Sequence, residues 1–377
     1  MIRRTPGRHR RVKTSLAAAL ALCCAASAVR SAPPVDRPGR QPPASSLWLI
    51  DTRGVSGCDP ATEGGPEYWR CGPDRQWTAA QLKDFLDADD PAVPTVFFLH
   101  GNRVGADDAV DLGCEVYAIL KAEAESRPLR FVIWSWPSDR VAGRVRRDVQ
   151  VKAARSDVES NYLADCVRRI DPKVRISLIG YSFGARTIGG ALHLLSGQER
   201  EGRRAAKPAS GRAAVRVVLF AAAMDNTSLL PGCANGSALK SVERALVTCN
   251  PADPALRWYR RMDRGRGPDA LGFTGPACLS QLGPDAEKLE VLNLSCEVGR
   301  RHESQCYLAA CSLRSRLGWY AFLDRPEPSP ETTARQAVGS ATRAQLAPLM
   351  RAAVHVAPLS ALLAQSAPGR SAVRPQQ

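Results

Sequence analysis

The sequence has no apolar run long enough to span a membrane, few aromatic residues and no recognisable metal-binding spacing. Its longest apolar run, Ser15–Val29, has 15 residues, whereas a spanning helix needs about 20. Aromatic residues make up 6% of the chain and form no series of stacking rings among the basic residues, which speaks against nucleic-acid binding. There is no CxxC motif and no histidine pair at ligand spacing. We therefore expect no stable membrane span, no nucleic-acid partner and no metal.

The N-terminus has the composition of an export signal. Residues 1–28 contain six cations and no acid, so the remainder of the chain carries +9 of the formal net charge of +15. The apolar run follows these cations and contains the small residues Ala26-Ser27-Ala28, as in a cleaved signal peptide. Cys23 and Cys24 lack the preceding small residue expected before a lipid-modified cysteine. We predict a signal peptide over residues 1–28, a linker over 29–45 and a periplasmic or secreted protein.

Ten cysteines remain once that segment is removed. An even number suits an oxidising compartment, so the sequence predicts disulfide bonds, although it does not reveal their pairing. Cys114 and Cys166 lie in helical patterns, where a buried free thiol is an equally good interpretation.

Between residues 46 and 325, short apolar runs alternate with longer helical patterns. This alternation predicts parallel strands joined by crossover helices, in one α/β domain over 46–325, followed by a low-complexity C-terminal tail over 326–377. The predicted strands are Leu47–Asp51, Thr95–Leu99, Phe131–Trp136, Val174–Gly180, Val215–Ala222, Leu246–Thr248 and Leu289–Leu294. The predicted helices are Ala106–Ala124, Gln150–Ile170, Ala185–Leu195 and Ala238–Arg244.

The segment Gly180-Tyr181-Ser182-Phe183-Gly184 matches the G-x-S-x-G pattern. It directly follows a predicted strand and directly precedes a predicted helix. A serine on such a turn projects its hydroxyl above the sheet, and the flanking glycines let the backbone pass close to its neighbours. The N–H of Phe183, at the start of the helix, is then directed at a developing oxyanion. The pattern predicts Ser182 as a nucleophile.

A serine hydroxyl needs a base, and the chain has only five histidines to supply one. His9 lies in the signal segment, His355 in the tail, and His193 inside the helix after the nucleophile. His100 ends an apolar strand, where we expect a structural role in bonding neighbouring loops. His302 lies in a loop after the last predicted strand and is therefore the predicted base, with a solvated surface histidine as the alternative interpretation.

The acid that orients the base must follow the serine and precede the histidine in the chain. Asp225 and Asp253 both satisfy this order and both follow predicted strands. We prefer Asp253 because it follows the penultimate strand, and we keep Asp225 as the alternative acid. Either residue could instead be a helix cap or a turn residue.

His100-Gly101-Asn102 follows the strand Thr95–Leu99 and supplies a second candidate for oxyanion binding. The glycine allows the backbone to turn back and present the N–H of Asn102 or Arg103 towards the serine. Trp134-Ser135-Trp136-Pro137 ends the next strand, where it either walls a pocket or forms part of the core.

The ordered motifs His-Gly-Asn, Trp-Ser-Trp-Pro, Gly-Tyr-Ser-Phe-Gly and Gly-Arg-x-His resemble those of the α/β-hydrolase superfamily. The chain is similar to an uncharacterised bacterial branch of predicted serine hydrolases, which pairs Ser-Trp-Pro with a later Asn-x-x-Asp-x-x-Leu. The resemblance covers residues 46–325. It implies a mostly parallel eight-stranded sheet flanked by helices, and no cofactor.

Carried over by motif, the resemblance implies Ser182 as nucleophile, Asp253 as acid and His302 as base, with Phe183 and Asn102 as oxyanion donors. The expected activity is cleavage of a carboxylic ester through an acyl-enzyme, on a small-molecule or lipid-like acyl substrate. The alternative is a hydrolase-fold binding or scaffold protein without catalytic activity. Substrate identity and oligomeric state are not predicted by the sequence.

Overall fold

The computed structural model describes residues 44–323, except for 56–64, 142, 144, 200–210 and 263–266. The predicted signal peptide, the C-terminal tail and nearly all of the predicted linker lie outside the described residues. None of the described helices is both long enough and apolar enough to cross a membrane.

Strands and helices alternate along most of the described chain, as the sequence pattern predicts. The strands are β1 Ser46–Asp51, β2 Glu67–Cys71, β3 Trp77–Ala80, β4 Thr95–Leu99, β5 Arg130–Ser135, β6 Ile176–Tyr181, β7 Val215–Phe220, β8 Arg244–Cys249 and β9 Leu289–Asn293. The helices are α1 Leu82–Asp87, α2 Ala106–Glu123, α3 Val145–Arg169, α4 Phe183–Leu195, α5 Pro254–Met262, α6 Leu271–Thr274, α7 Ser295–Val298, α8 Ser304–Leu308 and α9 Cys311–Tyr320.

These strands form one sheet of nine in the order β3-β2-β1-β5-β4-β6-β7-β8-β9. The seven strands from β1 to β9 in this order are parallel to their neighbours, while β2 and β3 add an antiparallel hairpin at one edge. In the β4–β6 pair Leu99 lies opposite Gly180. The chain segments that follow these two strands therefore leave the sheet side by side.

Helices cover both faces of the sheet, as the side-chain contacts of strand β5 show. Its side chains alternate between the faces because a strand has a period of two. Phe131 packs against Tyr117 of α2, with ring centroids 5.4 Å apart. Trp134 points to the other face, where its indole N–H donates to Glu159 of α3 at 3.0 Å. With both faces covered, the central strands are almost fully buried and consist mainly of apolar residues.

The fold class is confirmed as α/β with a mostly parallel sheet, but the sheet has nine strands where eight were expected. The difference arises at the edge hairpin, which the sequence patterns did not reveal. The helix predicted over Ala238–Arg244 is also wrong. A short 3₁₀ turn covers Ala238–Ser241, and Arg244 already begins β8.

The expected disulfides are not found among the described cysteines. All nine of these are free thiols, and Cys58 lies outside the described residues. Cys114 belongs to α2 and Cys166 to α3, on opposite faces of the sheet, so these two cannot reach each other. Both are buried, as the free-thiol interpretation expects.

Candidate active site

Ser182 lies on the sharp turn between β6 and α4. Its backbone has φ 54° and ψ −112°, a conformation that is strained for any residue except glycine. The two glycines of the motif make the turn possible. A Cβ on Gly184 would lie 2.2 Å from the carbonyl oxygen of Leu99, and one on Gly180 would lie 2.7 Å from the amide nitrogen of Ala185. The turn thus presses against β4 and holds Ser182 above the carboxyl end of the sheet.

His302 lies beside this serine, in the loop between α7 and α8. Its Nε2 is 3.3 Å from the Ser182 hydroxyl oxygen. On the other side of the ring, Nδ1 lies 2.7 Å from Oδ2 of Asp253. Since the carboxylate accepts a hydrogen bond from Nδ1–H, the neutral imidazole presents an unprotonated Nε2 to the serine. The three side chains therefore form one continuous chain of polar contacts.

Asp253 is fully buried, and four groups of the protein contact its carboxylate. Oδ1 accepts from the backbone N–H groups of Ala255 and Leu256 at 2.9 and 3.1 Å, so Asp253 caps helix α5. Oδ2 accepts from His302 and from the hydroxyl of Tyr307, each at 2.7 Å. The cap was one interpretation available from the sequence, and the structure combines it with contact to the histidine.

Asp225, the alternative acid, lies in a separate network. It accepts from the Tyr259 hydroxyl at 3.0 Å, and Arg186 donates to the same tyrosine oxygen at 3.2 Å. Arg186 in turn makes a two-bond ion pair with Asp157. Asp225 thus helps to hold α4 against α5, while Asp253 is the acid that contacts His302.

The segment after β4 passes directly beside Ser182. A Cβ on Gly101 would lie 2.8 Å from the Tyr181 ring and 3.1 Å from the Ser182 Cβ, so only glycine fits there. The N–H of Arg103 is occupied, because it donates to the carbonyl of Ser138 at 2.7 Å. Of the two predicted donors in this segment, only Asn102 has an N–H that bonds no acceptor among the described residues.

His100 has the structural role expected from the sequence. It is fully buried, and burial lowers its pKa to about 3, with the Arg53 charge adding to the effect. The neutral ring accepts from the N–H of Trp136 at 3.2 Å, while its Nδ1 lies 3.0 Å from the carbonyl of Gly101. Trp134 and Trp136 are fully buried as well, so this pair belongs to the core beneath the segment.

Arg53, which follows β1, also holds this segment, and the sequence patterns gave no sign of it. Its guanidinium donates to the carbonyls of Val104 and Gly105 at 2.9 and 3.1 Å, and to the Ser135 hydroxyl at 2.7 Å. These bonds link the ends of β1 and β5 to the segment that carries Asn102. The segment 100–105, with Arg53 across it, is called the Asn102 loop below.

Near Arg53 lies a buried carboxyl group, that of Glu159, for which the described residues provide no cationic partner in direct contact. Glu159 accepts from the Thr52 hydroxyl at 2.9 Å and from the Trp134 indole at 3.0 Å. Burial raises its pKa to about 7, and burial also raises the pKa of the neighbouring Asp51 to about 6. Within the described residues, no group of three or more His, Cys, Asp or Glu side chains is arranged to hold a metal ion.

The sheet order and the serine on its strand-to-helix turn define the class of this protein as an α/β-hydrolase fold. No protein-family model and no curated protein matches the chain.

Among solved structures, the chain is similar to the catalytic core domain of acetyl xylan esterase from Trichoderma reesei. The two share 17% identity over 54% of this chain and 84% of that one, with a TM-score of 0.30. The poly(3-hydroxybutyrate) depolymerase from Bordetella parapertussis shares 14% identity over 78% and 94%, with a TM-score of 0.31. A cutinase-like protein from Cryptococcus sp. shares 15% identity over 66% and 97%, with a TM-score of 0.30. At these values the likeness carries no functional assignment.

Proposed function

We propose that this protein is an extracytoplasmic serine hydrolase that cleaves a carboxylic ester through an acyl-enzyme. The observation that carries the proposal is the contact series from the Ser182 hydroxyl through His302 to Asp253, built on a strained turn at the carboxyl end of the sheet. A solvated surface histidine would not be held between a serine and a buried carboxylate.

In the proposed reaction His302 Nε2 takes the proton of the Ser182 hydroxyl as the serine oxygen attacks the ester carbonyl. The N–H groups of Phe183 and Asn102 stabilise the negative charge that develops on the carbonyl oxygen. His302 then gives its proton to the departing alcohol, and the acyl group remains on Ser182. A water molecule then gives a proton to His302 as its oxygen attacks the acyl carbon, and His302 passes that proton to the Ser182 oxygen as the bond to the acyl group breaks and the acid departs. Asp253 stabilises the charged imidazolium in both halves of the cycle.

The test is covalent labelling by a fluorophosphonate, read by intact mass, together with hydrolysis of p-nitrophenyl acetate. Wild type should gain one label, and both Ser182→Ala and His302→Ala should lose labelling and turnover by about a thousandfold or more. Ser315→Ala, which removes a hydroxyl in α9, serves as the control and should behave as wild type. A folded wild type that takes no label would instead favour the binding or scaffold protein.

The extracytoplasmic part of the proposal rests on residues 1–28. If they form a cleaved signal peptide, the exported protein should begin at Val29, which the intact mass of protein from the periplasm or medium measures. Protein that keeps residues 1–28 and stays in the cytoplasm would contradict this part alone.

A further inference from the structure

Tyr307 shares one carboxylate oxygen with the proposed base. It is fully buried in α8, five residues after His302, and its hydroxyl donates to Oδ2 of Asp253 at 2.7 Å. His302 Nδ1 approaches the same oxygen at the same distance. No motif in the sequence singled out this tyrosine, and the proposed mechanism does not yet use it.

We propose that Tyr307 is a positioning residue that fixes the Asp253 carboxylate and limits how strongly that carboxylate holds the charged His302. The inference rests on the proposed function, because it assigns Tyr307 a part in the same site.

The Tyr307 hydroxyl always acts as a hydrogen-bond donor to the Asp253 carboxylate. Burial raises the pKa of Tyr307 well above its ordinary value, and the nearby Asp253 charge raises it further. The phenol therefore keeps its proton at any working pH. Since the Asn250 side-chain amide donates to the phenol oxygen at 3.3 Å, that oxygen has its own donor and its proton is left for Asp253.

Both oxygens of the Asp253 carboxylate are held in place by hydrogen bonds. The two N–H groups of α5 hold Oδ1, and Tyr307 holds Oδ2, so the carboxylate cannot rotate away from His302. Asn250 also donates to the carbonyl of Gly299 at 2.9 Å, just before the histidine. Tyr307 and Asn250 thereby tie the loop that carries the base to the loop that carries the acid.

The Tyr307 hydrogen bond also affects the negative charge on Asp253. A hydrogen bond from a phenol withdraws electron density from Oδ2, which weakens the attraction between Asp253 and a protonated imidazole. Loss of this hydrogen bond should therefore strengthen that attraction and favour the charged form of His302. Other titratable or charged groups also lie around His302. The Tyr181 hydroxyl donates to the His302 carbonyl, and the Glu303 carboxylate accepts from the His302 backbone N–H. Arg300 and Arg301 precede His302 in the chain. Replacement of Tyr307 leaves all of them in place.

The experiment compares Tyr307→Phe with Tyr320→Phe. Tyr320 is a matched control because it is fully buried and also donates to a carboxylate, that of Glu290 at 3.0 Å, on the β9–α9 side of the molecule. For p-nitrophenyl acetate we expect Tyr307→Phe to lower kcat about tenfold with little change in KM. On the acid side of its pH profile, the fall of kcat/KM should shift to higher pH by about 0.5 to 1 pH unit. Tyr320→Phe should keep the wild-type profile.

A direct titration of the His302 ring by NMR gives the same information without any substrate. The midpoint for ring protonation should lie at higher pH in Tyr307→Phe than in wild type and Tyr320→Phe. Equal profiles and equal midpoints in all three proteins would overturn the inference. If wild type hydrolyses no ester, the proposed function fails, while the titration still tests the role of Tyr307.

A second variant covers the case in which Tyr307→Phe does not fold. Site-specific 3-fluorotyrosine at position 307 keeps the ring and makes the phenol a stronger donor. The His302 midpoint should then move to lower pH, opposite to the phenylalanine variant, whereas 3-fluorotyrosine at position 320 should not move it. A shift of the wrong sign, or none, would also overturn the inference.

Discussion

Two aspartates follow neighbouring strands at the same end of the sheet, and their contacts give them different tasks. Asp253 reaches His302, whereas Asp225 accepts from Tyr259. We expect Asp253→Asn to lower kcat by about a thousandfold to ten thousandfold, because the amide neither stabilises the charged imidazolium nor holds the neutral ring in the tautomer that leaves Nε2 free. Asp225→Asn should lower kcat by no more than about threefold and act mainly on stability. Steady-state kinetics and thermal unfolding of both variants test this, and comparable kcat losses would contradict it.

For single residues, chain order and local context predicted Ser182, His302 and two candidate acids after the ends of strands, and they favoured Asp253 because it follows the penultimate strand. Which aspartate contacts His302 depends on how far each loop reaches across the sheet, and the structure shows this contact for Asp253. Tyr307 and Asn250 were missed for a similar reason. A tyrosine in a short helix has no pattern of its own, and its role appears only when α8 meets the acid loop.

Glu159 should make stability depend on pH. Its pKa is about 7 in the folded protein because of burial, against about 4.3 for an exposed glutamate. The folded state therefore binds the proton more tightly, and stability falls as pH rises from about 4 through 7. We expect Glu159→Gln to be more stable relative to wild type at pH 8 than at pH 5, by on the order of 2 kcal/mol. Denaturant unfolding at both pH values measures this difference.

The control for that measurement is the exposed Glu287. Glu287→Gln should give the same offset from wild type at both pH values. Asp51 titrates nearby with a pKa of about 6, but it is present in every protein compared, so its own contribution largely cancels. An offset for Glu159→Gln that does not change between pH 5 and pH 8 would mean that the carboxyl is better solvated than its surroundings suggest.

Among the elements, the Asn102 loop depends on Arg53, which lies in the turn that follows β1. A lysine at position 53 has a single ammonium group and cannot bond Ser135 and the carbonyls of Val104 and Gly105 at once. We expect Arg53→Lys to lower kcat about tenfold with little change in KM, because the Asn102 N–H is then held less accurately where the oxyanion forms.

Arg216→Lys is a matched control for Arg53→Lys. Arg216 is similarly buried, and it bonds Glu243 and the Trp319 carbonyl far from Ser182. Equal kcat losses in the two variants would assign Arg53 to stability alone.

The elements that could be predicted are those with long apolar runs. All seven predicted strands occur in the structure. Six of them lie inside the sheet, where burial on both faces gives continuous apolar segments, and the edge strand β9 was found from its alternating apolar residues. The hairpin Glu67–Cys71 and Trp77–Ala80 was missed because its strands are short and carry exposed polar residues at the sheet edge. The turn residues Gly72, Pro73 and Asp74 between two tryptophan-bearing runs were a usable signal for it.

For the molecule as a whole, exposed charge differs between the two ends of the sheet. The loops that follow the carboxyl ends of the parallel strands surround Ser182, and we call this end of the sheet the carboxyl edge. It comprises the described residues of 52–55, 100–108, 136–147, 221–235, 250–275 and 294–303. Its exposed arginines are Arg103, Arg140, Arg146, Arg147, Arg257, Arg260, Arg261, Arg300 and Arg301. Its exposed acids are Asp108, Asp139, Glu297 and Glu303.

The opposite edge shows no such excess among the described residues. There the exposed cations include Arg75, Arg127, Arg169, Lys173 and Lys240, and they are matched by the exposed acids Asp74, Glu125, Glu199, Glu243 and Glu287. The excess is smaller than this count, because Arg103 and Arg260 make ion pairs with Asp148 and Asp269, which are not among the exposed acids. Arg186 adds nothing to it, because it is paired with Asp157 inside the protein. Among the described residues, the excess of exposed positive charge therefore lies in the loops around the proposed site, which should concentrate anions there.

This asymmetry predicts a preference for esters that carry negative charge. We expect kcat/KM for an anionic ester to exceed that for a neutral ester of the same shape, and the ratio to fall as salt is raised from about 0.01 to 0.5 M because ions screen the arginines. Arg260→Glu with Arg261→Glu should lower the ratio several-fold, whereas Arg127→Glu with Lys173→Glu at the opposite edge should leave it unchanged. A ratio that is independent of salt, or equal effects of the two charge reversals, would show that the arginines only solvate the surface. The neutral ester reports on the chemistry in every protein, so a loss confined to the anionic ester can be assigned to the field at the carboxyl edge.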